Sequence, residues 1–275
     1  MVRFDYLNKH FGITKMKLTP ITPENLSGRY WQRYTSYSFA SSTQYAPLVL
    51  AELPRAMQSL PLAFAQERGS MYLVGVLGIS PGENLFVNQK GQWMGAYVPS
   101  SFRSYPFKLG KVEHNQKMVL CIDEESGLIS DEQGEPFFDP NGALATPTRE
   151  VMGFLKKVEQ NRSVTQRAVD ALAQAEVLSP WQPKVKVGDE ERSIPGMLRL
   201  DEDKLSCLDN QEFLNLRKIG ALPIAYAQLF SMGNIGVLKK LADFRKQEKA
   251  KVQGQTEPDL EKLFGEDDLI KFGDD

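Results

Sequence analysis

Apolar residues along this chain follow two kinds of spacing, and the change falls at about residue 146. Upstream the runs are short and nearly continuous. Met71 to Ile79, MYLVGVLGI, is almost wholly apolar and rich in β-branched side chains, which predicts a buried central strand. Pro81-Gly82 predicts the turn that ends it. Asn84–Val87 reads as a second strand, Gln89-Lys90-Gly91 as a turn, Trp93–Val98 as a third strand and Met118–Asp123 as a fourth. Ser130–Asp139 reads as a short hairpin with Gly134 at its turn, and Leu48–Met57 as a short helix stopped near Pro61. Several short strands joined by tight turns point to an antiparallel sheet rather than βαβ units.

Downstream the period lengthens. Val151, Phe154, Leu155 and Val158 stand at i, i+3, i+4 and i+7, one apolar helix face. Thr146 followed by Pro147 fits the N-cap and first position of that helix. After a pause at Asn161-Arg162-Ser163 the pattern resumes with Val164, Ala168, Ala171, Leu172 and Ala175, so one long helix or two in series fill 147–178. Lys184–Val187 alternates like a half-buried strand, and Gly188-Asp189 starts the loop towards Met197–Leu200. Asp209 with Glu212 resembles a capping box, and Gly220 marks the stop of the helix it starts. The longest uncharged run, Ala221–Leu238, has the length of a membrane span, but Pro223, Gln228, Ser231, Gly233, Asn234 and Gly236 dilute it. It reads as a buried helical hairpin. A last helix over about 235–250 carries Ile235, Leu238, Leu241 and Phe244 on one stripe, with Lys239, Lys240, Arg245, Lys246 and Lys249 opposite.

The two ends have a different character. Residues 17–47 set Tyr30, Trp31, Tyr34, Tyr37, Phe39 and Tyr45 among Ser and Thr, an irregular arm that wraps the domain. Asp5, Asn8, Lys9 and His10 interrupt any signal-like apolar run at the start, and Met16 resembles a natural start that would make 1–15 an extension. From Val252 to Asp275 there are eight acidic residues against Lys262 and Lys271, and Lys-Leu-Phe-Gly-Glu-Asp at 262–267 is echoed by Lys-Phe-Gly-Asp at 271–274. Such a segment buries too little apolar surface to offset its ordering entropy and is expected to be disordered. Phe264, Asp267, Asp268 and Phe272 are its candidate partner-binding residues. The expectation is therefore an α+β protein: an antiparallel β-sheet packed with helices in a single main domain at 40–250, between an N-terminal arm at 1–39 and an acidic tail at 251–275.

Composition narrows the function classes. With 41% hydrophobic and 25% charged residues the chain can build a sizeable core. A net charge of −2 supplies no global field towards nucleic acid or an anionic membrane, and nucleic-acid binding through the basic face of the last helix is the least favoured class. The only cysteines, Cys121 and Cys207, lack CxxC spacing, and His10 and His114 are the only histidines, so neither a metal nor a cofactor is expected. Asp123-Glu124-Glu125 and Asp201-Glu202-Asp203 read as solvated turns without an EF-hand pattern. Gly78-Ile79-Ser80-Pro81-Gly82 matches G-x-S-x-G after a strand. However, the residue after the nucleophile must donate a backbone N–H to an oxyanion, and Pro81 has none. A plain turn is the simpler account. Without a signal or a spanning helix the expected setting is cytoplasmic, with surface association by signal-less export as the other route.

The densest group of unusual side chains is Asn84 to Phe107. Asn84, Trp93, Tyr97, Arg103 and Tyr105 form a candidate ligand-binding set, aromatic walls with a cation suited to a carboxylate or phosphate. A structural corner, with the polar groups satisfying backbone, is the other account. These residues also carry a resemblance. Tyr45-Ala-Pro-Leu-Val with Glu52, Gly82-Glu-Asn84-Leu-Phe86, Gly91-Gln-Trp93, Tyr97-Val-Pro99, Arg103 and Tyr105-Pro-Phe107 resemble the SapC family of bacterial and phage-borne proteins. Leu120-Cys-Ile-Asp123, Gly134-Glu-Pro-Phe-Phe138-Asp and Leu208 through Ser231 extend the likeness over about 45–245. The family takes its name from a surface-layer locus and has no established catalytic set. The resemblance implies a non-catalytic binding or assembly protein with a protein partner and a surface- or particle-associated setting. A small-ligand binder or enzyme using the 84–107 cluster is the alternative.

Overall fold

The computed structural model describes residues 2–3, 16–67, 69–112 and 117–252. In chain order come β1 (Val2–Arg3), β2 (Leu18–Pro20), the single turn α1 (Pro23–Leu26), β3 (Tyr30–Trp31), β4 (Tyr45–Pro47) and α2 (Leu53–Ser59). A hairpin of β5 (Leu62–Glu67) and β6 (Ser70–Val76) follows, then a long irregular segment ending in α3 (Ser100–Arg103). Next are β7 (Phe107–Val112), β8 (Met118–Asp123), β9 (Ile129–Ser130), β10 (Glu135–Pro136) and the long helix α4 (Thr146–Gln174). The chain continues through β11 (Leu178–Trp181), β12 (Lys184–Val187), β13 (Glu190–Ser193), β14 (Met197–Leu200) and α5 (Glu202–Ser206). It closes on α6 (Asn210–Ile219), α7 (Ala221–Ser231) and α8 (Ile235–Val252).

Every described strand pair is antiparallel. The largest sheet has the order β11-β14-β5-β6-β4, and a second has the order β1-β7-β8-β2. The first packs against α4 and α7, and its core holds Phe64, Leu73, Val76, Leu172 and Ile224. A smaller core gathers Ile21, Trp31, Phe107, Leu120, Ile122 and Phe137. Helix α4 is about 44 Å long at roughly 1.5 Å per residue, long enough to serve both cores. Leu155 in its first half belongs to the smaller core and Ala168, Val169 and Leu172 in its second half to the larger. The α+β class expected from the sequence is the one found.

Several local expectations are corrected. Asn84–Val87 and Trp93–Val98 are not strands; only an isolated bridge joins Val87 to Trp93. Here side chains outcompete a ladder, because Asn84 accepts from the N–H of Phe86 and Asn88 from those of Lys90 and Gln92. The two strands of the 130–139 hairpin do not pair with each other; β9 and β10 lie on opposite sides of β3, which comes from the arm. The arm itself is less irregular than its composition suggests, since β2, β3 and β4 each join a sheet. Ala145, not Thr146, is the N-cap of α4, and Pro147 occupies its first turn. The helix runs unbroken through Asn161-Arg162-Ser163, whose side chains donate within their own helix: Asn161 to the carbonyl of Lys157, Ser163 to that of Glu159.

The expected hairpin at 221–238 is instead two helices in series. Met232–Asn234 form a 3-10 turn with right-handed backbone on both sides, so the glycines there do not reverse the chain. The polar residues of α7 are buried and knit it to the large sheet. Gln228 donates to the carbonyl of Leu62 and accepts from the N–H of Leu200, and Ser231 accepts from the N–H of Leu62. Ala221–Ala250 is the one stretch among the described residues whose length and composition match a membrane-crossing helix, and 39% of its apolar window is buried.

Candidate functional site

The irregular segment after β6 is held rigid from three directions. A side chain at Gly78 would place its Cβ 2.0 Å from the carbonyl oxygen of Glu83, so the two halves of this turn touch only because position 78 is glycine. Asn84 is fully buried, donating to the carbonyl of Ala40 at 3.0 Å and accepting from Phe86 at 3.0 Å. Arg245 of α8 donates to the carbonyls of Asn84 and Val87 (2.6 Å to the latter) and pairs with Glu83 at 3.4 Å. Arg245 is therefore a clamp and not part of an open basic face. Trp93 donates its indole N–H to the carbonyl of Tyr97 at 3.0 Å and stacks on Phe86 at 5.3 Å.

Beneath this segment lies a buried carboxylate. Glu52, 5% exposed, ends the 3-10 turn that leads into α2. One oxygen accepts from the hydroxyl of Tyr97 at 2.6 Å and the N–H of Ser100 at 2.6 Å. The other accepts from the N–H of Val49 at 3.0 Å and the hydroxyl of Ser100 at 2.8 Å. The Tyr97 oxygen in turn accepts from Arg103 at 3.3 Å. Arg103 sits with its guanidinium carbon 5.7 Å from the Tyr97 ring and 5.2 Å from the Phe154 ring. One phenol thus links the buried anion to a cation at the surface.

That cation borders a cleft of about 530 Å³. The arm supplies Trp31, Arg33, Tyr34 and Tyr37; the segment after α3 supplies Ser104, Tyr105 and Phe107; the first turns of α4 supply Pro147, Glu150, Val151 and Phe154. Behind the cleft the aromatic rings support one another. Tyr105 stacks on Phe39 at 3.8 Å, Tyr34 packs edge-on against Tyr37 and Phe39 at 5.2 Å each, and Tyr37 leads to Trp93 at 5.7 Å. Burial holds the Tyr34 phenol well above its usual range, as do burial and the Glu52 hydrogen bond for Tyr97. Tyr105 is raised by burial and by the nearby Asp123. All three remain neutral at ordinary pH, so the charged side chains of the cleft are Arg33, Arg103 and Glu150. Neither Arg33 nor Glu150 makes a hydrogen bond or ion pair among the described residues, and the single hydrogen bond of Arg103 goes to Tyr97. A rigid aromatic wall with excess cationic donors suits a flat or apolar body bearing a carboxylate or phosphate.

Of the five residues singled out in the sequence, Arg103 and Tyr105 line this cleft and Tyr97 stands directly behind Arg103. Trp93 reaches it only through Tyr37, and Asn84 is scaffold. Arg33, Tyr34, Tyr37, Glu150 and Phe154 were not among the five. The aromatic run of the arm was their one visible signal; nothing near Glu150 announced that the start of α4 would close the other side. Phe264, Asp267, Asp268 and Phe272 of the tail, with His10 and His114, lie outside the described residues. Cys121 is buried in β8 and its thiol is pushed up to about 11, whereas Cys207 is exposed. No group of three or more metal-ligating side chains comes together among the described residues.

A family model described as SapC covers residues 23–238, which include the whole lining of the cleft. No curated protein and no solved structure matches.

Proposed function

This chain belongs to the SapC family, and from that premise we propose that it is a non-catalytic binding protein whose working surface is the cleft between the arm, Arg103–Phe107 and the start of α4. The ligand is a small molecule with a flat or apolar body and a carboxylate or phosphate. Its body lies against Tyr34, Tyr37, Val151 and Phe154, and its anion faces Arg103 and Arg33. The observation that carries this reading is the mounting of Arg103. Its position is fixed by two rings and by a phenol tied to Glu52, while its other donors have no partner among the described residues. A fixed cation loses little freedom when a ligand arrives, which favours affinity.

The test is thermal unfolding of the full chain against a panel of aromatic and alkyl carboxylates and phosphate esters, beginning with benzoate and phenyl phosphate. A ligand at a hundred times its Kd stabilises by about 2.7 kcal/mol. For Arg103→Gln the loss of a charge-assisted hydrogen bond, about 1.5–3 kcal/mol, lowers affinity by roughly ten- to a hundredfold. No shift with any member of the panel, or shifts unchanged in Arg103→Gln, would reject the cleft as the binding site.

The protein-partner part of the expectation, attachment at a surface layer or particle, attaches to another region. It is supported by apolar side chains left exposed on α6 and α7: Phe213, Ile219, Tyr226 and Phe230. A cytoplasmic setting, with surface association by signal-less export as the other route, is tested by fractionation of the native host.

A further inference from the structure

Phe230 is 69% exposed, the most exposed of the large apolar side chains among the described residues, and its ring stacks on Tyr226 at 6.1 Å. Pro223 and Gly233 are exposed as well, and steps of three and four place positions 223, 226, 230 and 233 on one side of the helix. Removing a phenylalanine ring from water is favourable in proportion to the apolar area covered, so a stacked aromatic pair in water is a ready contact surface. Where α7 passes into α8, the exposed side chains become basic: Lys239, Lys246 and Lys249. The sequence that follows α8 has the opposite composition, eight acidic residues with Phe264 and Phe272 in its two Phe-Gly-acidic repeats.

We propose that residues 253–275 of the same chain are the occupant of this surface, with Phe264 or Phe272 on the Tyr226–Phe230 pair and the carboxylates along the lysines of α8. The reach is sufficient. From Val252 back to Phe230 is about 33 Å of helix at roughly 1.5 Å per residue. Extended chain at about 3.3 Å per residue carries Phe264 about 40 Å from Val252 and Phe272 about 66 Å. By the same helical steps Lys239, Lys246 and Lys249 stand a third to half a turn around the helix from the aromatic pair, so the tail crosses the helix between its carboxylate contacts and its apolar one. A partner that uses the same aromatic pair then has to displace the tail. No residue of this surface lines the cleft.

Paramagnetic relaxation tests it on the full chain. Cys207→Ser removes the exposed thiol, Gly273→Cys takes a nitroxide beside Phe272, and the chain is uniformly labelled with nitrogen-15. Signals of residues 226–240 are expected to lose more than half their intensity at low salt. They recover in 1 M NaCl, where the Debye length is about 3 Å, and in Phe230→Ser. Phe264→Ser with Phe272→Ser on the tail side gives the same recovery and leaves the folded domain untouched. Undiminished signals over 226–240, or broadening centred on another face such as the Arg33–Arg103 cleft, would overturn the proposal. Equal broadening in an unlabelled-thiol chain mixed with a spin-labelled one would assign the surface to a second copy and overturn it likewise.

Discussion

Glu52 is the side chain on which cleft and core both depend, and its removal has a cost that can be worked out. Its carboxylate satisfies two backbone N–H groups, of Val49 and Ser100, and two hydroxyls, of Tyr97 and Ser100. In Glu52→Ala the hydroxyls can rotate towards other acceptors, but the two N–H groups cannot. At about 1–3 kcal/mol for each buried unsatisfied donor, the expected loss is about 2–6 kcal/mol before any cavity is counted. Set against a total stability of about 5–15 kcal/mol, that is severe. Glu52→Gln keeps one acceptor oxygen. Placed where it serves Tyr97 and Ser100, it leaves the amide group facing the N–H of Val49, one donor against another. A loss of about 1–3 kcal/mol follows, and Tyr97→Phe, which leaves the carboxylate three donors, costs about 1 kcal/mol. Guanidinium titration at constant m measures all three as shifts in midpoint. The order Ala, Gln, Phe from most to least damaging is required. If Glu52→Ala cost less than about 1 kcal/mol, the carboxylate would not be holding these groups, and the account of how Arg103 is mounted would fall with it.

Four further outcomes follow from local geometry and burial. Gly78→Ala drives a Cβ into the Glu83 carbonyl at 2.0 Å, and because backbone cannot swing aside as a side chain can, a drop of at least about 2 kcal/mol is expected in the same titration. Gly153→Ala, in open space on α4, is expected to raise stability by about 0.5–1 kcal/mol; a decrease would mean the helix is not built as described. Native protein treated with a thiol reagent at pH 8 is expected to modify Cys207 quickly and Cys121 only on unfolding. Because burial raises the Cys121 thiol from an ordinary 9.0 to about 11, the folded chain holds that proton more tightly than the unfolded one. Its contribution to stability is therefore complete below pH 9 and declines as pH climbs towards 11, and Cys121→Ala should flatten that part of the profile.

The helices were legible because their signals are local. Asp209 accepts from the N–H of Glu212 and Glu212 in return accepts from that of Asp209, and Gly220 takes the left-handed φ of +78° that a helix stop requires. Met118–Asp123 and Lys184–Val187 were legible as strands for a similar reason: one run is apolar, the other alternates. Leu62–Glu67 was not, although it is central in the large sheet, because after the stop at Pro61 the run LAFAQE has neither a β-branched residue nor an apolar–polar alternation to mark it as strand. The hairpin expected at 130–139 failed for a nonlocal reason. Its two strands are apart by the width of one strand, and the strand between them, Tyr30–Trp31, comes from about a hundred residues upstream.

The cleft was legible by half, and the missing half has a single cause. Arg103 and Tyr105 could be found because they lie within one dense cluster, where aromatic and cationic side chains crowd a short stretch of chain. Their counterparts come from two other stretches that only the fold brings to the same place. Trp31 is carried there by its place between β9 and β10 and by its indole N–H, which donates to Thr148 in the first turn of α4 at 3.1 Å. Thr148 in turn donates to the carbonyl of Pro136 at 3.1 Å, so the arm, the β10 edge and the helix start are tied at one buried point. Arg33 and Tyr34 follow Trp31 in the chain, and Glu150 and Val151 follow Thr148, so the tie that closes the smaller core also sets both remaining walls of the cleft. Loss of the Trp31–Thr148 bond should accordingly weaken ligand binding without touching any residue that contacts an anion. Thr148→Val removes the hydroxyl at nearly constant volume, at a cost of about 1–3 kcal/mol for the stranded indole donor. A variant that keeps its fold and the wild-type response to benzoate and phenyl phosphate would show that the walls are positioned by something else.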